Sequence, residues 1–283
     1  FGLVDLAAPV VRADLDLSGG RAEALRRAVL AALPAHDALL LAKMPTTVAG
    51  RPNPLAAWPG TMAMNVVTMV FDPATRPVAE LSAVKESGRK RRRLARDGGD
   101  IRRVDAPLRA LALLDFAFDL RAEKARRDGR YESLDDPEVR DFYREMVATG
   151  LADGSVEVWE VTLGERILAM VLGLTRAGRF NGTLMATLED EGLNVYSPGM
   201  IAVASVLEHH AGRGGGLFDL GPGEHPYKLR FGGVPSALLE YDRAASLRGL
   251  VSVADHRLRR HVRAHLRRHP ALRARIYRLL GKG

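Results

Sequence analysis

The 283-residue chain contains no cysteine. Disulfides, thiolate metal sites and a cysteine nucleophile are thereby excluded, and the composition suits a reducing compartment, so the expected location is cytoplasmic, extending to the inner face of a membrane. Long apolar runs are also missing. No stretch approaches the roughly 20 residues that a membrane span needs, and no signal peptide is visible. A Gly-x-Ser-x-Gly elbow, a Walker loop and a dinucleotide fingerprint are likewise absent, which removes the sequence signals for several common enzyme classes. Acid is absent from one region: residues 257–283 hold ten Arg or Lys and no Asp or Glu. Taking those ten from the net charge of +8 leaves −2 on the first 256 residues. The body is therefore close to neutral, which weighs against nucleic acid as the partner of a basic cleft. The basic end points instead to contact with an anionic surface.

With 47% hydrophobic residues the chain can bury ordinary globular cores. Its chemistry concentrates in residues 194–233. Ser197 is expected to cap a helix through its hydroxyl, Pro198 to take the first helical position, and Gly199 to let another molecule approach the backbone. The first amides of such a helix, up to Met200, lack intrahelical partners and carry the positive end of the helix dipole, which suits a phosphate or pyrophosphate. An apolar run follows until Gly212, with His209 and His210 in the last turn, where a cation suits the dipole. Residues 217–220 read as a buried strand. Gly221, Gly223, Glu224, Tyr227, Lys228 and Arg230 follow its carboxyl end, where open α/β sheets place ligands.

A carboxylate at that position can act as a base if partial burial raises its pKa, and Glu224 is the first candidate with Asp219 the second. Either could instead form a salt bridge to Lys228 or Arg230 that shapes the loop. Tyr227 could donate a proton, stack on an acceptor or pack beneath the loop, and Lys228 could stabilise an oxyanion or a phosphate.

Elsewhere the pattern predicts a strand and loop over 2–9, a helix over 20–33, a buried strand over 36–44, a loop or short helix over 51–60 and a strand over 64–71. A helix over 77–96 carries the run GRKRRRLAR, either a solvated face or a contact with an anionic donor or substrate. A strand over 100–104 precedes helices over 107–127 and 137–151, the latter capped by Asp136. Three strands over 156–161, 167–174 and 179–187 are joined by turns at Gly164, Glu165 and at Ala177, Gly178, the first of them alternating polar with apolar residues. A last strand is expected over 237–241. The loop, helix, strand order of 8–44 repeats that of 196–220, with Ala8 and Pro9 standing where Ser197 and Pro198 stand, which suggests an internal duplication.

These residues resemble a known family. The Ser-Pro-Gly helix start, the strand ending in Asp219 and the run Gly221 or Gly223, Glu224, Tyr227, Lys228, Phe231 are similar to the CelD/BcsL-type acyltransferases, a branch of the GNAT superfamily related to the Fem aminoacyl transferases. The loop departs in its spacing at Gly221, Pro222, Gly223 and at His225, Pro226. The resemblance implies an α/β fold with a mixed α+β sheet, built as tandem GNAT-like acyl-CoA N-acyltransferase units of which the first is incomplete and begins upstream of Phe1. The expected division is a partial unit over 1–84, a basic linking helix over 85–98, a catalytic unit over 99–254 and a basic tail over 255–283. It implies transfer from acyl-CoA to an amine or hydroxyl of a cell-envelope polysaccharide, sugar or lipid. Ser197, Pro198, Gly199 and Met200 would bind the donor, Glu224, Asp219, Tyr227 and Lys228 would act in the chemistry, and no metal is expected. The alternatives are Fem-like transfer from aminoacyl-tRNA and an inactive binding module at the membrane.

In the tail, Leu258, Val262 and Leu266 fall four apart among Arg257, Arg259, Arg260, Arg263, Arg267 and Arg268. Pro270 interrupts them before a second stripe of Leu272, Ile276, Leu279 and Leu280. Such a stripe either packs on the body beneath solvated arginines or lies, across 257–280, on an anionic membrane surface. His261, His265 and His269 also recur every four residues, but no carboxylate or cysteine completes a zinc set.

Overall fold

The computed structural model describes residues 20–48, 50–128 and 132–269. The chain begins with α1 (Arg21–Ala32), β1 (Ala38–Pro45), the short pair β2 (Thr47–Val48) and β3 (Arg51–Pro52), β4 (Met62–Phe71), α2 (Ser82–Arg96) and β5 (Gly99–Val104). Next come α3 (Pro107–Arg127), α4 (Pro137–Asp153), β6 (Val156–Leu163), β7 (Arg166–Arg176) and β8 (Arg179–Thr187). The last elements are α5 (Pro198–Gly212), β9 (Phe218–Pro222), α6 (Pro226–Arg230), β10 (Val234–Ala244) and α7 (Leu247–Arg268). The strand expected over 2–9 and the stripe from Leu272 to Leu280 lie outside the described residues.

Two compact units result, one drawn from Phe1–Val67 and Ser236–Gly283, the other being Thr68–Pro235. The division expected from the sequence is linear, whereas the first unit is assembled from both ends of the chain. The helix read as a link between units lies within the second. There α2 packs along α5 and buries Ala83, Val84, Ser87 and Leu94, while Arg91 pairs with Glu208. The expected start at residue 77 is also corrected: a 3-10 turn (Val78–Glu80) precedes α2, with Leu81 buried between them.

In the second unit the strands run in the order β4, β9, β8, β7, β6, β5, antiparallel except for β8 beside β9. Local rules explain the hairpins. Gly164 and the Ala177, Gly178 pair take positive φ at the two tight turns, which matches the twist of the flanking strands. In α4, Asp136 accepts from the Glu138 amide at 3.0 Å, Pro137 holds the first helical position and Gly154 closes the helix with φ 74°.

Strand β6 is covered on both faces. Its even-numbered side carries Glu160 beneath Arg102 and Arg109, with 2.7 and 2.6 Å contacts, and its odd-numbered side sets Trp159 against His209 on α5. Two acids can stand in a buried strand because each is bonded: Glu157 accepts from the Trp159 indole and the Thr175 hydroxyl. The core of this unit runs from Phe71 and Leu81 through Leu168, Phe180 and the apolar length of α5 to Phe218 and Phe231.

The first unit pairs β1 antiparallel with β10. Its small core joins Met44, Leu55, Trp58 and Tyr241, with Trp58 edge-on to Tyr241 at 5.3 Å. Here β1 was expected to be buried. Only its last two residues are, the rest alternating between half-buried and exposed, so one face of β1 stays open.

Candidate functional site

Strands β8 and β9 run parallel but pair only at Phe180 with Phe218 and Asn181 with Asp219. Stacked rings, 4.7 Å apart and 8° from coplanar, clamp that point, and Gly173 makes room for Phe180, since a Cβ there would lie 2.0 Å from the ring. Beyond the clamp β8 continues to Thr187 and β9 to Pro222 without further ladder pairs between them. Two parallel strands that cease to pair leave backbone donors and acceptors for an extended ligand.

His210 belongs to the clamp. The sequence suggested a cation closing α5, but the His210 ring is buried beside Phe180 and Phe218, and burial pushes its pKa below the ordinary value. A neutral imidazole, its Nε2 3.3 Å from the Gly216 carbonyl, therefore takes the place of the expected cation.

At the carboxyl end of β9 a buried network shapes the chain. Asp219 is fully buried; its Oδ1 accepts from the Thr68 hydroxyl at 2.5 Å and the Gly221 amide at 2.8 Å, and its Oδ2 from Arg179 at 2.6 Å. The bond to Gly221, whose φ is 82°, turns the backbone sharply after the strand. The Gly221 and Pro222 carbonyls then receive the Lys228 ammonium at 2.9 and 2.8 Å. Lys228 stands on α6, is 3% exposed and has the Tyr227 ring 6.0 Å from its nitrogen. Burial raises the Tyr227 phenol above its usual pKa, so it stays protonated at neutral pH.

Among the described residues, the expected salt bridge from Glu224 or Asp219 to Arg230 does not form. Asp219 takes Arg179, and Arg230 pairs with Glu86. Glu224 is exposed and has no ion pair or hydrogen bond among the described residues. With Asp219 occupied by three donors, Glu224 is the carboxylate here that is open to solvent and to a proton.

The start of α5 also departs from expectation. Ser197 is the residue before the helix, but its side chain makes no capping bond and its backbone is left-handed, with φ 48° and ψ 62°. A non-glycine residue in that region costs on the order of 1–3 kcal/mol. The hydroxyl instead accepts from Lys90 at 2.7 Å and donates to the Asn194 carbonyl at 3.1 Å. The Met200 and Ile201 amides turn back to the Ser197 carbonyl at 2.9 and 3.2 Å, so of the first amides only that of Gly199 has no backbone acceptor among the described residues. Gly199 also has a reason internal to the chain: a Cβ there would lie 2.6 Å from the Thr187 hydroxyl, which seats α5 on the end of β8.

Lys90, Arg179, Thr68 and Thr187 were not singled out from the sequence. Lys90 lies in the flagged basic run, and nothing along the chain distinguishes it from its neighbours. Arg179 meets Asp219 only through the β8 to β9 register. A surface hollow of about 610 Å³, lined by Arg102, Arg109, Thr162 and Glu165 among others, contains none of these residues.

A mixed sheet of this order, with one parallel pair that parts beside a helix start, is the fold of the GNAT acyl- and aminoacyl-transferases. The model of the family described as "Acetyltransferase (GNAT) domain" matches residues 82–229, more than half of the chain, and the chain belongs to that family. Among solved structures, FemX is 11% identical over 81% of this chain and 70% of its own, with a TM-score of 0.46. L-PGS from Bacillus licheniformis is 14% identical over 69% of this chain and 65% of its own, with a TM-score of 0.44. A GCN5-related N-acetyltransferase from Kribbella flavida is 16% identical over 79% and 74%, with a TM-score of 0.36. No curated protein matches the sequence.

Proposed function

We propose that the chain transfers an acyl group from acyl-CoA directly to an amine or hydroxyl of a cell-envelope polysaccharide, sugar or lipid, as its resemblance to the CelD/BcsL-type proteins implies. The observation that carries this reading is the buried Lys228 ammonium at the end of β9, beside a protonated Tyr227 and an unpaired Glu224, where β9 has left its parallel neighbour. The donor pyrophosphate would lie at Ser197, Pro198, Gly199 and Met200. Because most of the first amides are turned inward, the Gly199 amide would be joined by Lys90. Glu224 would remove a proton from the acceptor, whose nitrogen or oxygen forms a bond to the thioester carbon. Lys228 would steady the oxyanion, and Tyr227 would protonate the sulfur as the carbon–sulfur bond breaks.

Calorimetry with acetyl-CoA and longer acyl-CoAs, followed by mass spectrometry of products formed with envelope extracts, tests the proposal. Saturable binding and a product whose formation falls about a hundredfold in Glu224→Gln, with donor affinity kept, are expected. Turnover with aminoacyl-tRNA alone would replace the donor. Binding without any turnover would make the chain an inactive module.

A further inference from the structure

Helix α7 is turned inside out relative to an ordinary surface helix. The residues it sets against the rest of its unit are polar: Arg260 reaches Glu240 at 2.5 Å, and Arg257 and His256 lie 3.3 and 3.9 Å from Asp242. Glu240 and Asp242 share one face of β10 and are buried, so α7 is held by buried charge pairs together with Val253 and Gly249. Gly249 is required there, since a Cβ would lie 1.7 Å from the Asp37 carbonyl oxygen. The opposite side is apolar and open. Leu247, Leu250, Val251, Leu258 and Val262 are 82%, 57%, 71%, 64% and 48% exposed, and at about 100° per residue they fall with Ala254 on one stripe. The packed outcome expected for the tail does not describe this helix: its apolar side faces away from the unit, while Arg257 and Arg260 face the buried acids of β10.

We infer that this stripe, from Leu247 to Val262, docks on the surface of an anionic lipid bilayer. Charge selects the occupant. The stripe is bordered by exposed Arg248 and Arg259, the latter balancing Asp255 at 2.7 Å, and it leads into the 27 residues from 257 onward, where ten cations stand without an acid. An apolar centre with a cationic border suits acyl chains beneath anionic headgroups. A nucleic acid would require the cations or aromatic rings in the centre of the surface. The inference is independent of the transfer reaction, because every residue in it belongs to the other unit.

The test uses the full chain and sedimentation with vesicles of phosphatidylcholine alone or with 30% phosphatidylglycerol. Binding to the anionic vesicles alone, weakened at least tenfold at high salt, is expected. The double substitution Leu250→Glu, Leu258→Glu should reduce that binding at least tenfold while the melting temperature holds, since both side chains are exposed. Absence of binding, or equal binding by the double variant, overturns the inference. So does a dimer in analytical ultracentrifugation that the double variant abolishes, which would make the stripe an interface between copies. A lowered melting temperature with unchanged vesicle binding would show that another segment of the chain covers the stripe, and would also overturn it.

Discussion

The end of β9 and the start of α5 both bring charge to the place where the parallel strands part, and they handle it in opposite ways. At β9 the buried charges are answered within the chain: Asp219 by Thr68, Gly221 and Arg179, and Lys228 by two carbonyls. At α5 the Lys90 ammonium stands at the positive end of a helix, where the dipole disfavours a cation, and Glu86 at 2.6 Å only partly offsets it. The first region is built to stay as it is. The second would gain from an anion, which supports the proposal that donor phosphates bind there and that the reacting atoms meet at β9.

Removing the answer at β9 should have the largest effect. Asp219→Ala leaves Arg179 without its carboxylate partner and should cost about 3–5 kcal/mol in urea denaturation, as breaking a buried ion pair does. Asp219→Asn should recover part of that, since its amide oxygen can still accept from Thr68 or the Gly221 amide. A small loss in both would show that the turn forms without the network.

Next, Lys228→Met should lower kcat about a hundredfold, close to 2.7 kcal/mol of transition-state stabilisation. It should also cost about 1–3 kcal/mol of stability through its two unanswered carbonyls. Unchanged kcat per folded molecule would reduce Lys228 to a pin for the loop.

The α5 end should respond in affinity. Lys90→Ala is expected to raise the acyl-CoA dissociation constant about tenfold, near 1.4 kcal/mol, with kcat little changed. Gly199→Val is a poorer probe, because its side chain meets Thr187 and overpacking costs roughly 1–3 kcal/mol. If Lys90→Ala leaves the dissociation constant unchanged in calorimetry, the contrast between the two ends is only structural.

The smallest effect concerns the clamp that holds both ends in place. The His210 pKa is lowered on folding, so the unfolded chain binds the proton more readily. Stability is therefore full above the unfolded value near 6.5 and falls as the pH drops through it toward the lower folded value, at no more than about 1.4 kcal/mol per pH unit. His210→Phe should flatten that slope. An unaltered pH profile of the melting temperature would remove His210 from the account.

Much of this fold could be read along the chain, because hairpin turns, Asp136 before Pro137, and the apolar length of α5 depend on neighbours a few residues apart. Glu224 was likewise legible in a polar stretch after a buried strand, whereas residues 226–230, read as part of that loop, fold as the short helix α6. What sequence could not supply was pairing at a distance. Asp219 with Arg179, Lys90 with Ser197, and β1 with β10 each depend on register or packing between segments 40 to more than 100 residues apart, for which no local preference exists. The apolar stripe of α7 makes the same point: periodicity places Leu258 and Val262 on one face, but only the buried acids of β10, which draw Arg257 and Arg260 inward, decide that this face looks out.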